Sequence, residues 1–267
     1  TNLGSVKNTG FELGLRARLV DRPGFSWDAN LNGSTNSNEL LTLGVDATGA
    51  PLTPQVFSTY RQQPGYPVYG YWQRKFSYSD ANKDGVITRD EITVADSSSF
   101  LGYSRPRYET SLSNAFEFFN HTLRFNTLFD YKGGNKLLNG TERIRCSGRN
   151  NCRGVNDKTA PLDEQARAVV VSQISSALQS GYMEDASFVR FRELSVSGML
   201  PSSLLGRTNG SRIASLTFSA RNLHTWTGYT GIDPESNAVA GTTFNLPSDF
   251  QTVPPPTFFI LRLNLGF

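Results

Sequence analysis

The chain has 267 residues, 37% of them hydrophobic, and a formal charge of +3. Lysine and arginine are spread along the chain rather than clustered, which argues against a nucleic-acid partner, and no stretch approaches the ~20 apolar residues of a membrane helix. A transmembrane barrel passes that hydropathy test unseen, because its strands are apolar only at every second position.

The chain opens at Thr1 with neither Met nor signal peptide, and reads as a piece cut from a longer protein. The first alternating segment runs from Phe11 to Leu19, with Phe11, Leu13, Leu15, Ala17 and Leu19 on one face and Glu12, Gly14, Arg16 and Arg18 on the other. After the short turn Val20–Gly24, Phe25, Trp27, Ala29 and Leu31 stand opposite Ser26, Asp28, Asn30 and Asn32. A long stretch, 37–107, follows. Inside it Asp80-Ala-Asn82-Lys-Asp84-Gly85-Val86-Ile-Thr88-Arg-Asp-Glu91 has the spacing of a calcium loop. Side-chain oxygens fall at loop places 1, 3 and 5, glycine at 6, the Val86 carbonyl at 7, Thr88 at 9 and Glu91 at 12. Lys75–Tyr78 before it looks extended, so no helix–loop–helix is expected, and an Asx-rich turn uses the same residues for backbone reasons. Ca²⁺ in a structural role is the one cofactor the sequence raises.

Tyr108 to Glu117 alternates more weakly, and a short turn at Phe118–His121 leads to a clear strand over Thr122–Lys132. The long stretch 133–186 carries Cys146 and Cys152, which form either a disulfide-closed loop, as in an oxidising compartment, or two free thiols. In the same stretch Ala166, Val169, Val170, Ile174 and Ala177 recur at helical spacing, with Asp163 and Glu164 in the first turn, predicting a helix over Leu162–Leu178. Weaker strands cover Ser187–Leu200 and Arg212–His224, joined by Pro201–Gly210. After 225–256 the chain closes on a strict alternation from Phe258, with 259, 261, 263, 265 and 267 apolar. Ending on Phe267 resembles the C-terminal signal strand of bacterial outer-membrane proteins.

Seven segments of near membrane-crossing length, with short turns on one side and long loops on the other, give the outer-membrane pattern of periplasmic turns and extracellular loops. Arginines confined to one face suit a water-facing lumen; a packed core would bury them at a cost of several kcal/mol each. Phe25, Trp27, Phe118, Phe119 and Phe267 fall at the turn side, and Tyr131, Trp226, Phe258 and Phe259 at the loop side, as two aromatic girdles. No nucleophile elbow, phosphate loop or dinucleotide fingerprint occurs, and neither His121 nor His224 has metal-type spacing. No catalytic residue is assigned, and the chain is not expected to be an enzyme.

Five segments in order add a family resemblance: Asn8–Leu13; the Asp80–Glu91 loop with Leu101-Gly102-Tyr103-Ser104-Arg105-Pro106; Ser187–Arg192; Arg221-Asn222-Leu223 with Tyr229–Glu235; and Pro256–Phe267. Together they resemble the SusC/RagA group of TonB-dependent outer-membrane transporters. The resemblance implies an all-β fold, the C-terminal part of a large antiparallel transmembrane barrel. The whole chain, 1–267, would supply about eight of its strands, with an eighth near Val68–Tyr78. Plug domain and TonB box would lie N-terminal to it. The implied function is TonB-energised import of an oligosaccharide or peptide across a Gram-negative outer membrane, with membrane lipid, a SusD-like lipoprotein and the TonB complex as partners. No substrate-binding residue is assigned. A soluble calcium-dependent carbohydrate-binding β-sandwich is the alternative, and a secreted glycoside hydrolase a third reading.

Overall fold

The computed structural model describes residues 4–201, 213–238 and 247–266. Most of the Pro201–Gly210 connection, Arg212 and Phe267 therefore lie outside the described residues.

In chain order the strands are β1 (Ser5–Arg22), β2 (Phe25–Thr42), β3 (Gln55–Val56), β4 (Tyr60–Gln62), β5 (Gly70–Tyr78), β6 (Ile92–Gly102), β7 (Tyr108–Phe118), β8 (Leu123–Gly133), β9 (Lys136–Asn139), β10 (Met183–Asp185), β11 (Phe188–Met199), β12 (Ile213–Thr227), β13 (Ser248–Asp249) and β14 (Phe258–Gly266). Helices α1 (Gly140–Ser147), α2 (Arg153–Asn156) and α3 (Leu162–Val169) lie between β9 and β10. Seven strands form one sheet in the order β1-β2-β7-β8-β11-β12-β14, antiparallel throughout.

Directly opposed residues share a face, and the register carries one apolar face across the sheet. Leu15 pairs with Leu31 and Leu31 with Leu112. Leu112 then meets Phe129, which meets Phe191, while Val196 pairs with Phe218 and Phe218 with Leu261. These side chains are not covered: Phe11 is 63% exposed and Leu261 69%. Among the described residues no second sheet packs on this face, which overturns the sandwich alternative, since a sandwich closes its oily faces on each other. The other face carries Arg16, Arg18, Asp28, Asn30, Asn126 and Asp130. The 11 residues of β7, at about 3.4 Å rise and about 40° tilt, cover about 26 Å of height, close to the ~25 Å apolar band of a membrane barrel.

Weak alternation in Ser187–Leu200 has a specific cause. Phe191 faces outward, but so do Leu194 and Val196, one residue out of phase. A bulge at Arg192 absorbs the slip, seen as a register shift between Phe191 and Glu193 against both neighbours.

Turns at one end are tight. Gly24, at φ +80°, closes β1–β2, and Phe119, Asn120 and His121 all have positive φ between β7 and β8, with a hydrogen bond from the His121 ring to Glu117. The three long connections leave from the other end and build a crown. It contains a sheet β3-β4-β5-β6 and a sheet β10-β9-β13. The strand expected near Val68–Tyr78 forms as β5, but it pairs with β4 and β6 in the crown. The reason is burial: Tyr71, Trp72 and Gln73 are all buried, which suits a covered sheet and not a wall with one wet face. Among the described residues the wall has seven strands. Phe258, next to outward Phe259, falls by alternation on the inner face rather than in a girdle.

The expected helix starts at Leu162 but ends early. After Val169 it widens into a π-turn, Val170–Ile174, closed by Ser175 N–H to the Val170 carbonyl (2.9 Å), and Ser175 is extended. α1, not expected from the sequence, is capped by Asn139, whose Oδ1 accepts from Glu142 N (3.0 Å). The packed core sits in the crown, in clusters around Cys146, Cys152, Ala168, Val171 and Tyr182, and around Tyr71 and Met183.

Candidate functional site

The inner face of the wall is a polar concave surface with charges sorted by height. An upper hollow of about 590 Å³ is lined by Glu12, Asn32, Glu109, Ser111, Asp130 and Lys132. A lower one of about 430 Å³ is lined by Arg16, Arg18, Asp28, Asn30, Arg124 and Asn126. Acidic groups dominate near the crown and guanidinium groups nearer the turns. Some are paired, Arg18 with Asp28 at 3.0 Å and Arg124 with Glu117 at 3.3 Å.

Above the upper hollow the loop after β12 docks on the wall through a cluster of charges. Arg190, 1% exposed, donates to both oxygens of Asp233 at 2.6 and 2.7 Å and lies 3.0 Å from Glu235. Arg192, two residues on and so on the same face, holds Asp130 at 2.7 Å and both oxygens of Glu235 at 3.0 and 3.1 Å. Lys132 lies 3.3 Å from Glu235. Burial by itself pushes the Glu235 carboxyl up, but the hydrogen bonds and charge of Arg192, with the charges of Arg190 and Lys132, outweigh it and hold the group below the usual carboxylate range. A second anchor is Asp249, fully buried. It accepts from the hydroxyls of Tyr229 (3.0 Å), Thr141 (3.1 Å) and Thr252 (3.2 Å) and from Ile232 N–H (3.3 Å). Sequence reasoning missed both anchors. The signal present was two arginines beside an Asp-Pro-Glu 43 residues away, without any indication that they meet.

The Asp80–Glu91 loop lies in the crown, ordered by its own backbone. Asp80 accepts from Asp84 N–H (3.1 Å) and Gly85 N–H (3.0 Å), Asn82 Oδ1 from Asp84 N–H (3.1 Å) and Asp84 from Val86 N–H (2.8 Å). Gly85 has φ +78°, the conformation the sharp turn needs. Glu91, however, is engaged with Ala81 N–H and with the Thr88 N–H and hydroxyl, which lower its carboxyl, Thr88 first. The loop is not free-standing. Buried Gln165 of α3 receives Ile87 N–H (3.0 Å) and donates to the carbonyls of Gly85 (3.0 Å) and Ala160 (2.8 Å).

Cys146 and Cys152 are joined at 2.10 Å and packed against Ala168 and Val171, two residues on the same helical segment as Gln165. The calcium-type loop and the cysteines are therefore brought onto one support. Glu142, Cys146 and Cys152 form the one trio of metal-type side chains among the described residues, and its two sulfurs are spent on each other. His121 lies at a tight turn and His224 against Trp226, centroids 4.5 Å apart, far apart along the wall.

No protein-family model matches the chain. Three curated relatives match it over its whole length: TonB-dependent receptors P3, P26 and P39 of Formosa agariphila, at 27%, 25% and 23% identity. The chain spans about three-tenths of their length, between 29% and 31%. Among solved structures, the RagAB peptide transporter shares the fold, with a TM-score of 0.74 at 21% identity over 100% of this chain and 30% of that one. The RagAB peptide importer in its closed-closed and open-open states gives 0.70 in both cases. Sequence and fold agree: the chain is similar over its whole length to TonB-dependent receptors and shares the fold of the RagAB transporter.

Proposed function

We propose that this chain is part of an outer-membrane active transporter of a Gram-negative bacterium, importing a large nutrient, an oligosaccharide or peptide, without covalent chemistry. TonB supplies the energy through parts of the protein beyond this chain, and a SusD-like surface lipoprotein meets the crown. The observation that carries the reading is the division of the seven-stranded wall into an uncovered apolar face and a charged inner face. The relatives support it, being named receptors, and the solved neighbours are peptide transporters. Between the two nutrient classes, the RagAB likeness favours a peptide. Uptake of labelled peptide and oligosaccharide pools by cells with and without the full-length receptor tests this. Uptake that depends on the receptor and stops when the proton-motive force is collapsed is the expected result. Receptor-independent uptake of both pools would sink it.

The Asp80–Glu91 loop is proposed to take Ca²⁺ in a structural role. Asp80, Asn82, Asp84, the Val86 carbonyl, Thr88 and Glu91 would hold it, an all-oxygen set of the kind the ion prefers. Asp80, Asn82 and Asp84 fit as they stand, while Glu91 has to give up Thr88. Calcium should protect the full-length receptor from trypsin at Lys83 relative to chelator; equal cleavage rates would remove the site.

A further inference from the structure

The crown holds a hollow of its own, separate from those on the inner face of the wall. It has a volume of about 430 Å³ and opens where the connection after β2 meets the connection after β8. Lys75, Phe76 and Tyr78 of β5, Leu101 of β6, Lys136 of β9 and Met183 of β10 line it. The two connections fit closely there. A Cβ on Gly181 would fall 3.1 Å from the Phe76 ring, and one on Gly102 would fall 3.1 Å from Cδ of Lys136. Leu101 packs against the buried pair Tyr71 and Met183, so the floor of the hollow is apolar and preformed.

Charge is brought to that floor from one side. The Lys136 stem lies along Gly102, and its Nζ donates to the Met183 carbonyl at 3.4 Å, which leaves the ammonium further donors for a ligand. Asp185 stands opposite Lys136 in the β9–β10 ladder but accepts from Ser187 N–H (2.7 Å) and does not line the hollow. The β5–β6 register breaks between Arg74 and Phe76, and Lys75 lines the hollow beside Phe76. Among the described residues the lining thus has two lysines and no carboxylate.

That combination selects an anion attached to an apolar group. The volume falls low in the ~300–1,000 Å³ range of small-ligand sites, which admits a chain end and not a folded partner. An internal acidic side chain would bring a peptide unit on either side, whose polar groups an apolar floor leaves without partners. A chain terminus brings one carboxylate and one side chain.

We infer that this hollow binds the C-terminal carboxylate and apolar last side chain of a peptide. Lys75 and Lys136 take the charge, and Phe76, Leu101 and Met183 take the side chain. The inference rests on the import reading and narrows its substrate class. Its test is fluorescence anisotropy on the full-length receptor in detergent. The probe is an N-terminally labelled hexapeptide ending in Leu-Phe, as the free acid and as the C-terminal amide. The acid should bind about tenfold more tightly than the amide, as for one charge-assisted contact. The double variant Lys75→Gln/Lys136→Gln should lose that difference, and Lys158→Gln, which does not line the hollow, should keep it. In the wild type, benzoylphenylalanine as the last residue of the probe should crosslink to the lining, at Met183 foremost. Equal affinities for acid and amide would overturn the site, and so would crosslinks confined to other segments or an acid preference retained in the double variant. Displacement by octanoate as effective as by unlabelled peptide would also overturn it, assigning the hollow to free fatty anions. Acid preference without receptor-dependent uptake refutes the import reading and leaves the site, whereas uptake without acid preference does the reverse.

Discussion

Leu112 separates a membrane wall from a water-soluble sheet. It faces outward, paired with Leu31 and Phe129, and is 38% exposed. At about 3.4 Å rise and about 40° tilt it lies about 10 Å below Tyr108 and about 16 Å above Phe118, near mid-depth. In water, Leu112→Arg at so exposed a site changes stability by no more than about 0.5 kcal/mol. At bilayer mid-depth it costs about 2–4 kcal/mol, about 30- to 700-fold in the folded fraction. Ser113→Arg, one residue on and facing the inner hollow, is the control and should be near neutral. The assay is folding of the full-length receptor from urea into phosphatidylcholine vesicles, followed by the gel mobility of folded and unfolded forms. Equal folding of the two arginine variants would refute the assignment of faces.

Arg190→Met should release the loop after β12, because it leaves Asp233 buried without its cation, at about 3–5 kcal/mol; hydrogen exchange at Ile232 and Glu235 should rise at least about a hundredfold, and Asp233→Leu in the same chain should recover much of the loss. Glu235 sets the acid limit of that dock. Its carboxyl is held below the ordinary glutamate value of about 4.5, so its contribution is complete above about that pH and fades as pH falls through the lowered folded value. Proteolysis of the loop should accelerate only below about pH 4.5, and the step should vanish in Glu235→Gln. Gln165→Leu removes the partner of Ile87 N–H and of two carbonyls, costing about 1–3 kcal/mol per group left buried and unpaired, and should speed tryptic cleavage at Lys83. Reducing Cys146–Cys152, a pair six residues apart, should cost about 2 kcal/mol by loop closure, loosening α1 and α2 to protease while the wall stays folded.

Alternation made the wall legible because every second residue there meets a single, uniform surroundings. Phe11–Leu19 and Thr122–Lys132 are regular for that reason. Ser187–Leu200 was faint because two half-strands of opposite phase meet at Arg192, and a periodicity count averages them. In the crown the pattern carries less information. Tyr71, Trp72 and Gln73 are consecutive and all buried, so β5 has no wet face to mark it, and its sequence does not separate it from a wall strand. The charge cluster was unreadable for another reason: Arg190 and Asp233 lie 43 residues apart, and no local rule says which carboxylate an arginine finds. In the calcium-type loop, spacing gives the donors, but whether Glu91 turns to a metal or to Thr88 is a competition that spacing does not decide.

Gln165 has a mechanical consequence. It belongs to the connection after β8, yet it grips Gly85 and Ile87 in the connection after β2. A pull on either insertion is therefore shared by both, and neither can swing as an independent flap. Movement over the mouth of the wall is left to the points where the crown joins the strand tops, such as Arg107 N–H on the Gly133 carbonyl (2.8 Å) and Asn36 N–H on the Arg107 carbonyl (2.8 Å).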